Sequence, residues 1–167
     1  MNSSVRSVLS WSIEKFPGIR YRELMRLVKI TNGVMSYNIN FLEKTGVINI
    51  ERQGGVTRFY PTHMQEYDRA VIGKLRQKTA RQIVLFILSN ESISFNDIVA
   101  HVKCAPSTAS WHLKKLREVD LVQTKQVNGH LLYIVNQKDQ VVSLLNTYRA
   151  SFLDEMVDSF VDTWHEL

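Results

Sequence analysis

Ser107-Thr108-Ala109-Ser110-Trp111-His112-Leu113-Lys114-Lys115-Leu116 is the stretch from which the architecture is read. Ala109, Leu113 and Leu116 recur at i, i+4 and i+7, the spacing of one apolar stripe on an α-helix. Steps of about 100° per residue put Ser107, Ser110, Trp111 and Lys114 on the opposite face. Just upstream, Ile98 and Val102 lie one helical turn apart and mark a shorter helix. Residues 103–106 between the two read as a tight turn, with Pro106 suited to a first helical position. Downstream, residues 121–127 and 130–135 flank Asn128-Gly129, a pair that tolerates the positive φ angles of a two-residue hairpin. Residues 79–89 add one more helix ahead of the set.

The same plan occurs a second time. At an offset of 74, residues 18–61 align with 92–135 without a gap, and although only six positions are identical, the apolar pattern carries over. Ile19, Leu24, Val28, Ile39, Leu42, Ile48 and Phe59 fall on Ile93, Ile98, Val102, Leu113, Leu116, Val122 and Tyr133, so both copies bury equivalent faces. The turn at residues 29–32 precedes a helix carrying Met35, Ile39 and Leu42, with Asn32 as a suitable N-cap. Residues 47–53 and 56–60 flank Gly54-Gly55, and residues 5–16 supply the leading helix. Helix, helix-turn-helix and hairpin in that order make a winged helix-turn-helix. The expected fold is mainly α with small β-wings: two such domains in tandem, residues 1–62 and 78–136.

Residues 63–77 between them, with Tyr67, Val71 and Leu75 spaced by four, read as a linker helix that holds a set orientation. Residues 137–167 lack Gly and Pro and are expected to form one long helix with Val141, Leu145, Tyr148, Phe152, Met156, Phe160 and Trp164 along one side. At about 1.5 Å per residue such a helix is longer than one domain needs, so it is assigned to homodimerisation. The alternative is that it caps the core of its own domain.

Charge divides along the same line. Residues 1–139 carry 20 Lys and Arg against 11 Asp and Glu, a surplus of nine, whereas residues 140–167 carry Arg149 against five acids. A basic body suggests a polyanion partner, and an acidic end suggests another use. The longest strongly apolar run, residues 83–88, is far short of the ~18 residues of a membrane span, and residues 1–4 lack a signal-peptide layout. The sequence therefore points to a cytoplasmic protein without membrane contact. The single Cys104 excludes an intrachain disulfide.

The stretch 107–116, with Leu121-Val122 and the Asn128-Gly129 wing, resembles the recognition helix and wing of ArsR-like and MarR-like winged-helix regulators. The Pro17-Gly18-Ile19 entry and the Arg58-Phe59-Tyr60-Pro61 wing exit resemble those of archaeal regulators with two such domains. The resemblance spans about residues 5–136 and implies transcriptional regulation through double-stranded DNA. Unit one departs from it, because Tyr37-Asn38-Ile39-Asn40-Phe41-Leu42 replaces the usual basic run.

The residues support that reading physically. Ser36, Tyr37 and Asn40 occupy the outward face of one recognition helix, and Ser107, Ser110, Trp111, Lys114 and Lys115 are assigned to the other. Lys114 can donate to guanine, Asn40 can pair with adenine, and the serines suit bases or phosphates. Arg52, Arg58, Lys125 and His130 on the wings suit phosphates or the minor groove. Against this, Tyr37 and Trp111 could simply shield their helices, and Lys115 and Arg117 could be solvated charges.

His101, Cys104 and His112 raise the metal question because ArsR-like proteins often sense metals. Cys104 aligns with Ile30 and is read as a buried thiol, so no metal site and no cofactor is assigned. No phosphate loop, HExxH or GxSxG motif is present, and no enzyme is expected. The competing function is a protein-interaction module in a transcription or sorting assembly, favoured by Tyr37, Phe41 and Trp111. The sequence names no effector ligand.

Overall fold

The structure is a computed structural model that describes residues 2–152. The chain forms two compact units, Met1–Arg69 and Ala70–Leu167. Unit one runs α1 (Asn2–Lys15), β1 (Ile19–Arg20), α2 (Tyr21–Val28), α3 (Asn32–Lys44), β2 (Ile48–Gln53) and β3 (Val56–Pro61). Its sheet is antiparallel in the order β1-β3-β2, with Ile19 opposite Phe59 and Ile50 opposite the same residue from the other side. Leu9 and Ile13 from α1, Leu24 from α2, Met35, Ile39 and Leu42 from α3, and Ile48 and Phe59 from the sheet form one buried cluster. Each of these residues falls on the apolar side its helix or strand period defines.

After α4 (Glu66–Leu75), unit two runs α5 (Lys78–Asn90), β4 (Ile93–Ser94), α6 (Phe95–Val102), α7 (Pro106–Glu118), β5 (Val122–Val127), β6 (His130–Val135), α8 (Lys138–Thr147) and α9 (Arg149–Phe152). Its sheet has the order β4-β6-β5, also antiparallel. The described chain is mostly helical with small antiparallel strand sets, as a winged helix is.

Backbone conformation repeats at the offset of 74. Lys29 (φ 56) and Lys103 (φ 54) are the left-handed C-caps of α2 and α6, and they turn the chain toward α3 and α7. Gly54-Gly55 and Asn128-Gly129 all have positive φ, as two-residue hairpins require. Capping differs in detail: Arg20 N donates to Glu23 Oε2 at 3.0 Å ahead of α2, whereas Ser94 and Asp97 bond reciprocally ahead of α6.

Three sequence expectations need correction. Thr31, not Asn32, is the N-cap of α3, and the Asn32 side chain instead accepts a hydrogen bond from Tyr21 Oη at 2.9 Å. The two-residue strands β1 and β4, too short to show any period, add a third strand to each sheet. The single helix expected over residues 137–167 does not form in its described part. It stops at Thr147, Tyr148 leaves helical geometry (φ −108, ψ 26), and α9 follows.

Val141, Leu145 and Phe152 are buried within the chain and Tyr148 is half-buried, so this part of the stripe is not a free dimerisation face. Met156, Phe160 and Trp164 lie outside the described residues. No helix among the described residues is long and apolar enough to cross a membrane.

Candidate nucleic-acid interface

Helix α7 buries Ala109, Leu113 and Leu116 and leaves Ser107, Ser110, Trp111 and Lys114 exposed. Trp111 is half exposed at 51% and meets the His112 ring edge-on, centroids 4.8 Å apart. His112 is half-buried, and burial first, then the nearby Lys74 charge, hold its pKa below the ordinary imidazole value. Lys114, Arg117, Gln123 and Thr124 line an open cleft between the end of α7 and β5, together with Glu118 and Asp120. On the wing, Lys125 and His130 are exposed. Among the described residues neither Arg117 nor Lys125 is in an ion pair.

Lys115, also assigned to this face, has a partner on its own helix. It is half-buried and its Nζ lies 2.8 Å from Glu118 Oε2, a bond that holds the Glu118 carboxyl below the usual carboxylate range. This is a solvated i,i+3 pair on the helix surface.

The equivalent face of α3 exposes Ser36, Tyr37 and Asn40. The first wing, however, spends its cations internally. Arg52 forms a two-pronged pair with Glu43, Nη1 to Oε1 at 3.2 Å and Nη2 to Oε2 at 3.3 Å. Arg58 is half-buried, and its Nη1 donates to the Gly18 carbonyl at 2.8 Å, tying β3 to the entry of β1. The same side chain is the wing cation expected from the sequence. Glu51 accepts from Arg69 Nε at 2.8 Å.

The sequence reading does not place Arg6, whose guanidinium from α1 lies 3.5 Å from the Phe41 ring centroid and 5.8 Å from that of Tyr37. Its Nε donates to Asn38 Oδ1 at 3.1 Å. Only the contact between α1 and α3 reveals it, although Phe41 opposite Lys115 in the repeat is a weak signal.

Cys104, expected to be buried, is half-buried in the turn before α7, because that turn leaves its neighbours Lys103 and Ala105 exposed. His101 is exposed and stacks flat on Phe86, centroids 3.8 Å apart. Among the described residues no three His, Cys, Asp or Glu side chains gather as metal ligands.

An outward polar and basic helix face thus lies beside the β5–β6 hairpin, the arrangement of a winged helix-turn-helix. Residues 78–124, from α5 to the middle of β5, match the family described as bacterial regulatory protein, arsR family, and this part of the chain is similar to it. The chain is also 22% identical over 137 residues, 82% of its length, to an uncharacterized HTH-type transcriptional regulator of Methanocaldococcus jannaschii. It spans 34% of that protein's length.

Proposed function

We propose that the protein is a sequence-specific, double-stranded-DNA-binding transcriptional regulator built from two winged helix-turn-helix domains in tandem. Its principal reader is α7 with the β5–β6 wing, and α3 is a second, weaker recognition helix. One observation carries the reading: Ser107, Ser110, Trp111 and Lys114 stand exposed on α7, next to Arg117 and Lys125, within or beside the segment similar to ArsR-family regulators. The likeness to a protein named as a transcriptional regulator supports the biological role. Lys114 reads a base edge, and Arg117 and Lys125 hold the backbone, the division seen wherever cations flank a reading helix. The tandem reading is supported by the matching element order and left-handed positions of the two units.

Selection of bound duplexes from a random pool tests this. The expected result is one enriched motif whose log affinity falls linearly with log salt, by about 0.9 for each phosphate neutralised. A steep salt slope without an enriched motif would mean non-specific binding, and the absence of salt-dependent binding would overturn the proposal. A palindromic motif would report two copies on one site. A second reading as a protein-docking module is favoured by the exposure of Trp11 (60%), Tyr37 (59%) and Phe41 (41%) in unit one. It requires duplex binding to be absent.

A further inference from the structure

The outward face of α3 lacks the cations that α7 carries. At the repeat offset, Asn40, Phe41 and Glu43 stand where Lys114, Lys115 and Arg117 stand, and Lys44 at the helix end is the one lysine on α3. The α3 surface is nevertheless supplied with a positive charge from elsewhere. Arg6 reaches it from α1, and the matching residue in unit two is Ala80. The cation and the uncharged residue have thus exchanged elements: arginine on the leading helix with phenylalanine on the recognition helix in unit one, alanine with lysine in unit two.

Arg6 is held in place from two sides. The Phe41 ring lies against the guanidinium, 3.5 Å from its central carbon to the ring centroid, a cation–π contact that retains the charge. Asn38 fixes its position. This residue is 1% exposed, its Nδ2 donates to the Val34 carbonyl at 2.8 Å, and its Oδ1 accepts from Arg6 Nε at 3.1 Å. A buried amide costs stability unless it is hydrogen-bonded, and this one is bonded through both ends, one of them to Arg6. Nε is thereby occupied, whereas among the described residues neither Nη of Arg6 has a hydrogen-bond partner. Two parallel N–H donors on a rigid plane match two oxygens of a phosphate.

We propose that Arg6 is a phosphate-binding residue, which presents both Nη groups to a backbone phosphate of duplex DNA lying along α3, with Asn38 and Phe41 as its positioning residues. This rests on the DNA-binding reading above. It accounts for an aromatic pair left exposed on a recognition helix and for an asparagine in a core position.

The test uses the full chain and the selected duplex, measured by fluorescence anisotropy across a salt series. Arg6→Gln is expected to weaken binding about threefold to tenfold at low salt and to lower the slope of log affinity against log salt by about 0.9. Arg6→Lys should keep the slope with intermediate affinity, because the charge remains and the fork is lost. Phe41→Leu should weaken binding less than Arg6→Gln and leave the slope unchanged. A scan with single methylphosphonate substitutions supplies a readout that a packing role would not move. One phosphate whose neutralisation weakens the wild type should cease to matter in Arg6→Gln. Unchanged slope and an unchanged methylphosphonate profile in Arg6→Gln would overturn the proposal while leaving the DNA-binding reading intact. A wild type that binds duplex without salt dependence would remove both.

Discussion

Units one and two share an element order and differ in where they keep their charge. In unit one, Arg52 is neutralised by Glu43, Arg58 is drawn onto a backbone carbonyl, and Glu51 is bound to Arg69. In unit two, Lys114, Arg117 and Lys125 are exposed on α7 and its wing, where Lys115 is paired with Glu118. The contrast teaches that a count of basic residues in a repeat measures nothing about binding until internal partners are subtracted. By sequence the two wings carry similar cations, and in the structure those of the first are engaged by partners within its own unit.

The sharpest way to break this comparison is to truncate matched residues. Lys114→Ala should cost about 1–3 kcal/mol on the selected duplex, roughly 5-fold to 150-fold, and less on random DNA. Asn40→Ala at the matching position should cost less. Equal losses, or a larger loss from Asn40→Ala, would mean that unit one is the principal reader.

Next in size, Arg58→Ala should lower the stability of unit one by about 1–3 kcal/mol, because a charged hydrogen bond to Gly18 O is lost from the β1 entry. The ratio of specific to random binding should stay constant, as chemical denaturation and parallel binding assays would show. A change in that ratio would restore Arg58 to the wing contacts.

Glu43→Arg makes α3 resemble α7 at this position and releases Arg52. The expected gain is a steeper salt slope, by about 0.9 per phosphate newly engaged, and several-fold tighter binding to random duplex at low salt. No change would show that the first wing lies away from DNA.

The smallest expected effect concerns pH. The pKa of His112 is lowered in the folded chain by burial and by Lys74, so the unfolded chain binds the proton more readily. Stability should be fully present above about pH 6.5 and fall as pH drops from there toward the lowered folded value. Thermal melts at pH 7.5 and pH 5.5 should show the fall, and His112→Gln should flatten it. An unchanged slope in the variant would assign the pH response to other groups.

Much of the fold was legible because it depends on local signals. The Ala109-Leu113-Leu116 stripe, the Gly54-Gly55 and Asn128-Gly129 hairpins and Pro106 all act over a few residues. The α7 face followed from the same period, since a buried stripe defines its opposite. The site was less legible wherever a side chain has a choice of partner. By sequence Arg58 and Lys115 are candidate DNA contacts, and each has a partner within its own unit. The sequence does not single out Arg6, because its placement depends on a contact 35 residues away in sequence with Phe41.

What the sequence by itself determined was the order of helices and hairpins, the buried faces and the internal repeat. These follow from periodicity, and from residues whose own backbone preferences favour a turn. Tertiary structure decided which charges remain available, that Val141 and Leu145 pack within their own chain, and that the helix bearing them ends at Thr147. The physical reason is range. A helix period is set within a few residues, whereas a guanidinium on a long, flexible side chain is placed by whichever carbonyl, carboxylate or ring the folded chain brings near it.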